Sequence, residues 1–269
     1  KININVRSEI GELEAVILHT PGSEVENMTP KNAERALYSD ILNLAVAKKE
    51  YAQLSNVLGK LTKTFEVKDL LTDVLRNEKV KSNLLQKICK YENKCNLVNH
   101  LHSLDAPELA RQLIEGVIEE KDTLTRYLNR ERYSLRPLHN FFYTRDAAMS
   151  VLDQVLIGRM ANLVRERESM IMETIFDFHE LFVTKTVNPL NSDNFTPEIS
   201  IEGGDVLIAR DDILCIGTGT RTTTQGIDFI LERLLSQKEK SRHILVQELP
   251  YKPESFIHLD MVFTFLDVD

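Results

Sequence analysis

Cysteine is scarce in this chain: three residues, Cys89, Cys95 and Cys215, among 269. So sparse and odd a set excludes a disulfide framework and fits a reducing cytosol. Cys89 and Cys95 stand near His100 and His102, but the spacing matches no common zinc pattern. They are expected as ordinary helical residues, and no metal is expected. Long apolar runs are missing as well. None approaches the ~20 residues that span a bilayer, and the first residues hold no apolar signal core. The expectation is a cytoplasmic chain without a membrane partner. Positive charge is in deficit, 33 Lys and Arg against 41 Asp and Glu, for a formal net charge of −8. No Lys/Arg-rich stripe is present to neutralise phosphates, which excludes general nucleic-acid binding.

What remains is 42% hydrophobic and 28% charged, the composition of a globular protein long enough to bury a core. Residues 13–19 read as a buried strand. Thr29-Pro30 offers an N-cap with proline at the first helical position, and apolar residues from Ala33 to Leu61 keep helical spacing, for a helix to about residue 60. Residues 62–68 read as a short strand. From 69 to 136 the sequence changes character, with a single glycine, no clear strand, and repeated helical periodicity among dense charge. There Asp105 and Glu108 start a helix in capping-box fashion, and Leu109, Leu113, Val117 and Ile118 form its apolar stripe. This stretch is expected as a helical bundle inserted into an α/β domain made of 1–68 and 137–269. The alternative left open is that these helices simply belong to one α/β fold.

Beyond residue 137 the sequence repeats itself. Asp146 opens an apolar strand with an aspartate turn seven residues on, at Asp153, and a glycine twelve on, at Gly158. Asp205 does the same with Asp212 and Gly217, and Asp260 begins a third copy with Asp267 seven residues on. A helical segment follows each of the first two copies. The starts lie 59 and 55 residues apart, a period that suits a ring of strand–strand–helix–strand units. In the third copy a second strand would begin after Asp269, so the chain is expected to be a fragment ending in mid-hairpin.

Polar residues gather at the borders of these units: Asn140, Arg145 and Asp146; Arg165; Glu202, Gly203, Gly204 and Asp205; Arg221; His258 and Asp260. A lone aspartate before a strand is usually an edge residue, but three occupy the same slot of three copies. Acids, one base and arginines together could hold a zwitterion carrying both a cation and a carboxylate. Gly217-Thr-Gly219 is half a dinucleotide fingerprint without its third glycine or acidic partner, so no cofactor is expected.

Asn140-Phe-Phe-Tyr-Thr-Arg-Asp146, Ile201-Glu-Gly-Gly-Asp205, Ile216-Gly-Thr-Gly-Thr-Arg221 and His258-Leu-Asp260 resemble, in order, the motifs of the guanidino-group-modifying enzymes. The helical insertion and Met28-Thr-Pro-Lys-Asn32 resemble arginine deiminase within that superfamily, over nearly the whole chain. The resemblance implies a partial α/β propeller and hydrolysis of L-arginine to L-citrulline and ammonia. It implies that Asp146 and Asp260 grip the guanidinium and that Arg165, Arg221 and Asn140 bind the α-carboxylate. His258 is implied as general acid and then base, oriented by Glu202, and a cysteine thiolate as nucleophile. Tyr143 stands where the family usually has phenylalanine and is expected to stack on the guanidinium. Tyr38-Ser39-Asp40 stands where many members have two acids, and Asp40 or Ser39 is expected near the substrate ammonium. Cys215 lies mid-strand as an inert thiol, so the expected nucleophile is missing and the chain alone is expected to be inactive. A homo-oligomer is left open. The competing readings are a methylarginine hydrolase or an amidinotransferase, which the long helical insertion disfavours, and a non-catalytic arginine-binding protein.

Overall fold

In the computed structural model the aspartate–glycine repeat folds as two copies of one topology. Residues 1–26, 42–129, 131–235, 243–253 and 255–267 are described. In the first copy Ala148–Val151 pairs antiparallel with Gln154–Ile157, and Lys185–Val187 then joins parallel to the second hairpin strand. The helix Glu166–Phe178 lies between them in sequence, because a parallel return needs a crossover. In the second copy Val206–Arg210 pairs antiparallel with Ile213–Thr218, the helix Thr224–Leu235 follows, and His243–Glu248 returns parallel. The two copies share a core: Met149, Val151 and Leu156 of the first hairpin pack with Val206, Ile208 and Ile216 of the second. Leu207, pointing to the opposite face as strand alternation requires, packs instead with Leu249 and Leu259.

The repeat glycines have a steric reason. A Cβ on Gly158 would lie 2.4 Å from the Asp146 carbonyl oxygen, and one on Gly217 would lie 2.4 Å from Asp205 Oδ1. The end of each hairpin must therefore carry a residue without a side chain for the aspartate that opens the unit to sit beside it. The amino-terminal arm crosses both copies. Ile2–Asn3 pairs parallel with Phe182–Val183, Val6 bridges Leu152, and Glu9 N donates to Ile208 O at 2.9 Å.

The third copy departs from expectation. Leu259–Met261 is a short 3-10 turn, and no strand follows among the described residues to 267. A hairpin strand is held by its neighbour, and residues 261–267 have no ladder partner among the described residues.

Contacts divide the chain into two units, Lys1–Leu13 with Arg145–Asp269, which carries the repeats, and Glu14–Thr144. In the latter, Ala15–Leu18 pairs parallel with Lys63–Glu66. The helix Leu44–Leu61, in the connection between them, starts after Asn43, whose extended backbone and side-chain oxygen cap Ala45 N and Val46 N. Of the single helix expected from Pro30 to residue 60, the described part begins at Leu44, with residues 42–43 outside the helix; the proposed cap at Thr29-Pro30 lies outside the described residues. Helices follow at Val67–Leu75, Glu78–Tyr91, Val98–Ser103, Ala106–Glu115 and Leu124–Leu128. Asp105 accepts from Glu108 N as its sequence predicts.

The apolar stripe expected to continue through Val117 and Ile118 stops at Gly116, whose φ of 87° ends the helix. Val117–Ile118 instead pairs antiparallel with Tyr133–Leu135, a small ladder in a stretch expected to hold no strand. The boundaries drawn on sequence at 68/69 and 136/137 fall inside this unit, because the strand pair at 15–18 and 63–66 groups with the helices. Among the described residues no helix is long and apolar enough to cross a membrane.

Candidate active site

The site is built in the repeat-bearing unit by the segments that open and close each hairpin. Asp146 is the third residue of the short helix Thr144–Ala147, two residues before the first hairpin. Arg165 closes a 3-10 turn leading into the helix Glu166–Phe178. Glu202 precedes the Gly203–Asp205 turn that launches the second hairpin. His258 caps the turn that carries Asp260. Arg145, adjacent to Asp146, holds this frame in place. Its guanidinium is gripped by both Glu9 carboxylate oxygens, at 3.0 and 2.6 Å, and donates to Gly203 O and Val206 O.

At the centre, His258 Nε2 lies 3.0 Å from Glu202 Oε2. The other Glu202 oxygen accepts from Ala161 N at 3.0 Å, and Arg221 Nη1 stands 3.7 Å from it. Glu202 is fully buried and His258 and Asp146 are nearly so. Asp146 Oδ1 is 3.9 Å from His258 Nδ1, and its Oδ2 accepts from Arg165 Nη1 at 2.8 Å. Arg165 is buried as well. Its Nη2 donates to Glu168 Oε2 at 2.8 Å, and its Nε lies 3.2 and 3.1 Å from the two Glu168 oxygens.

This arrangement sets the protonation states. Burial by itself would lower the His258 pKa, but the Glu202 hydrogen bond and the charges of Asp146, Glu202 and Asp205 outweigh it and raise the ring above its ordinary value. For Glu202 burial works upward, and His258, Arg165 and Arg221 prevail to hold it below the usual carboxylate range. Arg165 stays protonated, since Glu168 and Asp146 overcome the cost of burying it. Burial raises Glu168 despite its arginine. Asp205, also fully buried, is pushed up to about 6 by burial. Asp260 is raised by burial and by the nearby Asp146, although its own surface is exposed.

The structure thus gathers Asp146, Arg165, Glu202, Arg221 and His258, with Asp260 one residue beyond the buried Leu259. Asn140 and Tyr143 belong to the other unit, Asn140 buried and Tyr143 exposed with its ring 4.4 Å from that of Phe142. Asp40 and Ser39 lie outside the described residues. Glu168 and Glu9 carry weight that the sequence reading missed. Glu168 had a signal, an acid three residues after an arginine in a helix's first turn; Glu9 had none.

Asp146, Glu202 and His258 offer ligand atoms all within 4.8 Å of one another, close enough to surround a metal ion. A cation is already placed there: the Arg165 guanidinium is 2.8 Å from Asp146 and 3.7 Å from Glu202. Cys89, Cys95, His100 and His102 form no such group among the described residues. His100 and His102 instead hydrogen-bond Gln112 and Ser82. Cys215 lies in the strand Ile213–Thr218, where burial raises its thiol pKa.

The fold and the site together define a mixed α/β protein with a buried imidazole–carboxylate–guanidinium cluster. In fold the chain is similar to SxtG, an amidinotransferase from Microseira wollei, with a TM-score of 0.52 at 14% identity, covering 96% of this chain and 66% of that one. In sequence it is 34% identical to an arginine deiminase from Bacillus cereus, over 99% of this chain and 68% of the relative. An arginine deiminase from Borrelia recurrentis is 32% identical, over 98% of this chain and 67% of the relative. The chain thus spans about two thirds of these relatives' length. The arginine deiminase family model matches residues 34–269. The chain belongs to the arginine deiminase family.

Proposed function

We propose that the protein of which these 269 residues are part hydrolyses L-arginine to L-citrulline and ammonia. The observation that carries the reading is the buried His258–Glu202 contact at 3.0 Å with Asp146 beside it. An imidazole kept basic next to a carboxylate that already grips a guanidinium is what a guanidinium-cleaving site requires.

In this reading Asp146 and Asp260 bind the substrate guanidinium, and Arg221 and Arg165 bind its α-carboxylate. The pairing of Asp146 with Arg165 bears on the cost of binding. A zwitterionic substrate exchanges one internal ion pair for two, Asp146 taking the guanidinium and Arg165 the carboxylate, and no charge is left buried alone. A cysteine thiolate then attacks the guanidinium carbon. The C–N bond to the departing nitrogen breaks as His258 donates a proton, and ammonia leaves. The same nitrogen of His258 takes one proton from water, whose oxygen attacks the amidino carbon; the thiolate then leaves, the remaining hydroxyl proton passes to solvent, and citrulline is released. With Nε2 turned to Glu202, Nδ1 is the ring nitrogen for these transfers. Asn140 as a carboxylate ligand, Tyr143 as a stacking ring and Asp40 as an ammonium partner rest on the resemblance alone.

None of the three cysteines suits the nucleophile's part, so we place it outside these residues and expect the chain alone to be inactive. The same reading takes the two strand–strand–helix–strand copies as part of an α/β propeller, with 69–136 as its helical insertion, in a cytoplasmic enzyme needing no cofactor. The test is calorimetric binding of L-arginine and of agmatine, which lacks the carboxylate. Asp146→Ala should weaken both ligands. Arg221→Ala and Arg165→Ala should weaken arginine on the order of tenfold to a hundredfold and agmatine far less. Equal losses for both ligands in the arginine variants would remove the carboxylate assignment.

A further inference from the structure

We propose that Asp205 is the positioning residue of the site: its carboxylate anchors the Leu259 amide and so fixes His258 and Asp260, the residues on either side, in one step. Their use in catalysis rests on the deiminase reading; the anchoring does not.

Asp205 Oδ1 accepts from Leu259 N at 2.9 Å, across 54 residues of sequence, with both residues buried. A hydrogen bond to a peptide N–H constrains the residue that carries it and the ends of both neighbours. At Leu259 those neighbours are the imidazole and the second candidate guanidinium ligand. The side chain of Leu259 supplies the second point of attachment, packed with Leu207 and Leu249. Leu207 is two residues after Asp205, in the strand that follows the Gly203–Asp205 turn, so both attachments belong to the opening of the second hairpin.

The surroundings are shaped to this contact. A Cβ on Gly217 would lie 2.4 Å from Asp205 Oδ1 and 3.0 Å from Leu259 Cβ, and one on Gly204 would lie 2.7 Å from the His258 ring. Two backbone positions are thus left without side chains where the anchored segment passes. The charge of Asp205 also bears on the ring, being one of the contributions that keep His258 basic, with Asp146 and Glu202 the other acids facing it. The Glu202–His258 hydrogen bond depends on this anchor, because Glu202 reaches the imidazole only while the segment 258–260 is held against the Gly203–Gly204 turn.

The anchor is tested by NMR on the 269-residue chain, following amide exchange at Leu259 and the titration of the His258 ring. In Asp205→Ala the Leu259 amide should exchange ~10-fold faster or more, the loss expected for a hydrogen bond to a charged acceptor. The His258 inflection should move to lower pH as its contact with Glu202 loosens. In Asp205→Asn the side-chain oxygen still accepts, so Leu259 should stay protected while His258 moves down by less. Should Asp205→Ala fail to fold, the unsubstituted chain gives a second reading. Its Leu259 amide proton should shift as Asp205 ionises, and that dependence should be absent in Asp205→Asn. Unchanged exchange at Leu259 in Asp205→Ala, or an identical pH dependence in the unsubstituted chain and Asp205→Asn, overturns the proposal. No readout involves arginine, so failure of arginine to bind would strike the deiminase reading and leave the anchor standing.

Discussion

His258 and Glu202, 56 residues apart in sequence, meet through a 3.0 Å Nε2–Oε2 contact in the buried centre of the repeat-bearing unit. Each changes the other's proton affinity in the direction that keeps both charged: the imidazole is raised and the carboxylate lowered, against the opposite pull of burial in each case. A pair of this kind is a source of pH-dependent stability, because neither shift exists in the unfolded chain.

Glu202→Gln should therefore cost more stability at pH 6 than at pH 9. The folded pKa of His258 is raised, so its contribution is present below the unfolded histidine value of ~6.5 and is lost as pH rises through the folded one. The lowered Glu202 pKa contributes above the unfolded carboxylate value and is intact at both test points. Thermal unfolding of the two chains at each pH gives the comparison, and an equal gap at pH 6 and pH 9 would show that the pair carries no coupled charge.

Arg165→Ala should destabilise the fold by roughly 3–5 kcal/mol, since it leaves Asp146, Glu168 and Glu202 facing one another without their shared cation. The double variant with Glu168→Ala should lose less than the sum of the two single variants, because the second change removes one of the stranded charges. Denaturant unfolding of the four chains measures this. Strict additivity would mean that Arg165 and Glu168 are neighbours without energetic coupling.

Citrulline should not form when the purified chain is incubated with L-arginine, and Cys215→Ser should behave identically. A half-buried strand thiol with a raised pKa is a poor nucleophile. Turnover that vanishes in the serine variant would relocate the nucleophile to Cys215. Turnover that survives it would refute the covalent route.

Asp205→Asn should gain stability relative to the unsubstituted chain as pH rises from about 4 to about 6, and not below. A carboxyl whose folded pKa is raised from 3.8 to about 6 opposes folding once it ionises. Integrated over that window the difference is about 3 kcal/mol. Melting temperatures of both chains from pH 3.5 to 7.5 provide the curve; parallel curves would mean that Asp205 ionises normally in the fold.

The repeat was legible because a hairpin of fixed length forces the same interval from Asp146 to Gly158 and from Asp205 to Gly217, and the glycines answer to contacts with those aspartates. The third copy was over-read: its apolar pattern matches a strand, but pattern does not supply a pairing partner. The helix start at Leu44 was missed because apolar spacing runs on across Asn43, whose capping side chain outweighs it. Val117 and Ile118 were placed on a helix because their spacing fits one, while the positive φ at Gly116 turns the chain out of it. Among the candidate site residues, which ones gather was readable and how they pair was not. Arg165 was expected to bind a carboxylate, yet nothing linear says that Glu168 and Asp146 hold it. Arg145 meets Glu9 across 136 residues, a distance at which sequence spacing carries no information.

The amino-terminal arm works as a girth strap. Ile2–Asn3 and Val6 buckle to the first copy and Glu9 to the second, and Glu9 also neutralises Arg145, the residue next to Asp146. A chain shortened by its first thirteen residues, Lys1–Leu13, would lose a belt around two modules and also a counter-ion. The unbalanced Arg145 guanidinium would then compete for the neighbouring Asp146 with the ligand meant to reach it. Loss of residues 1–13 would thus alter the charge balance of the site itself, through Glu9 and Arg145.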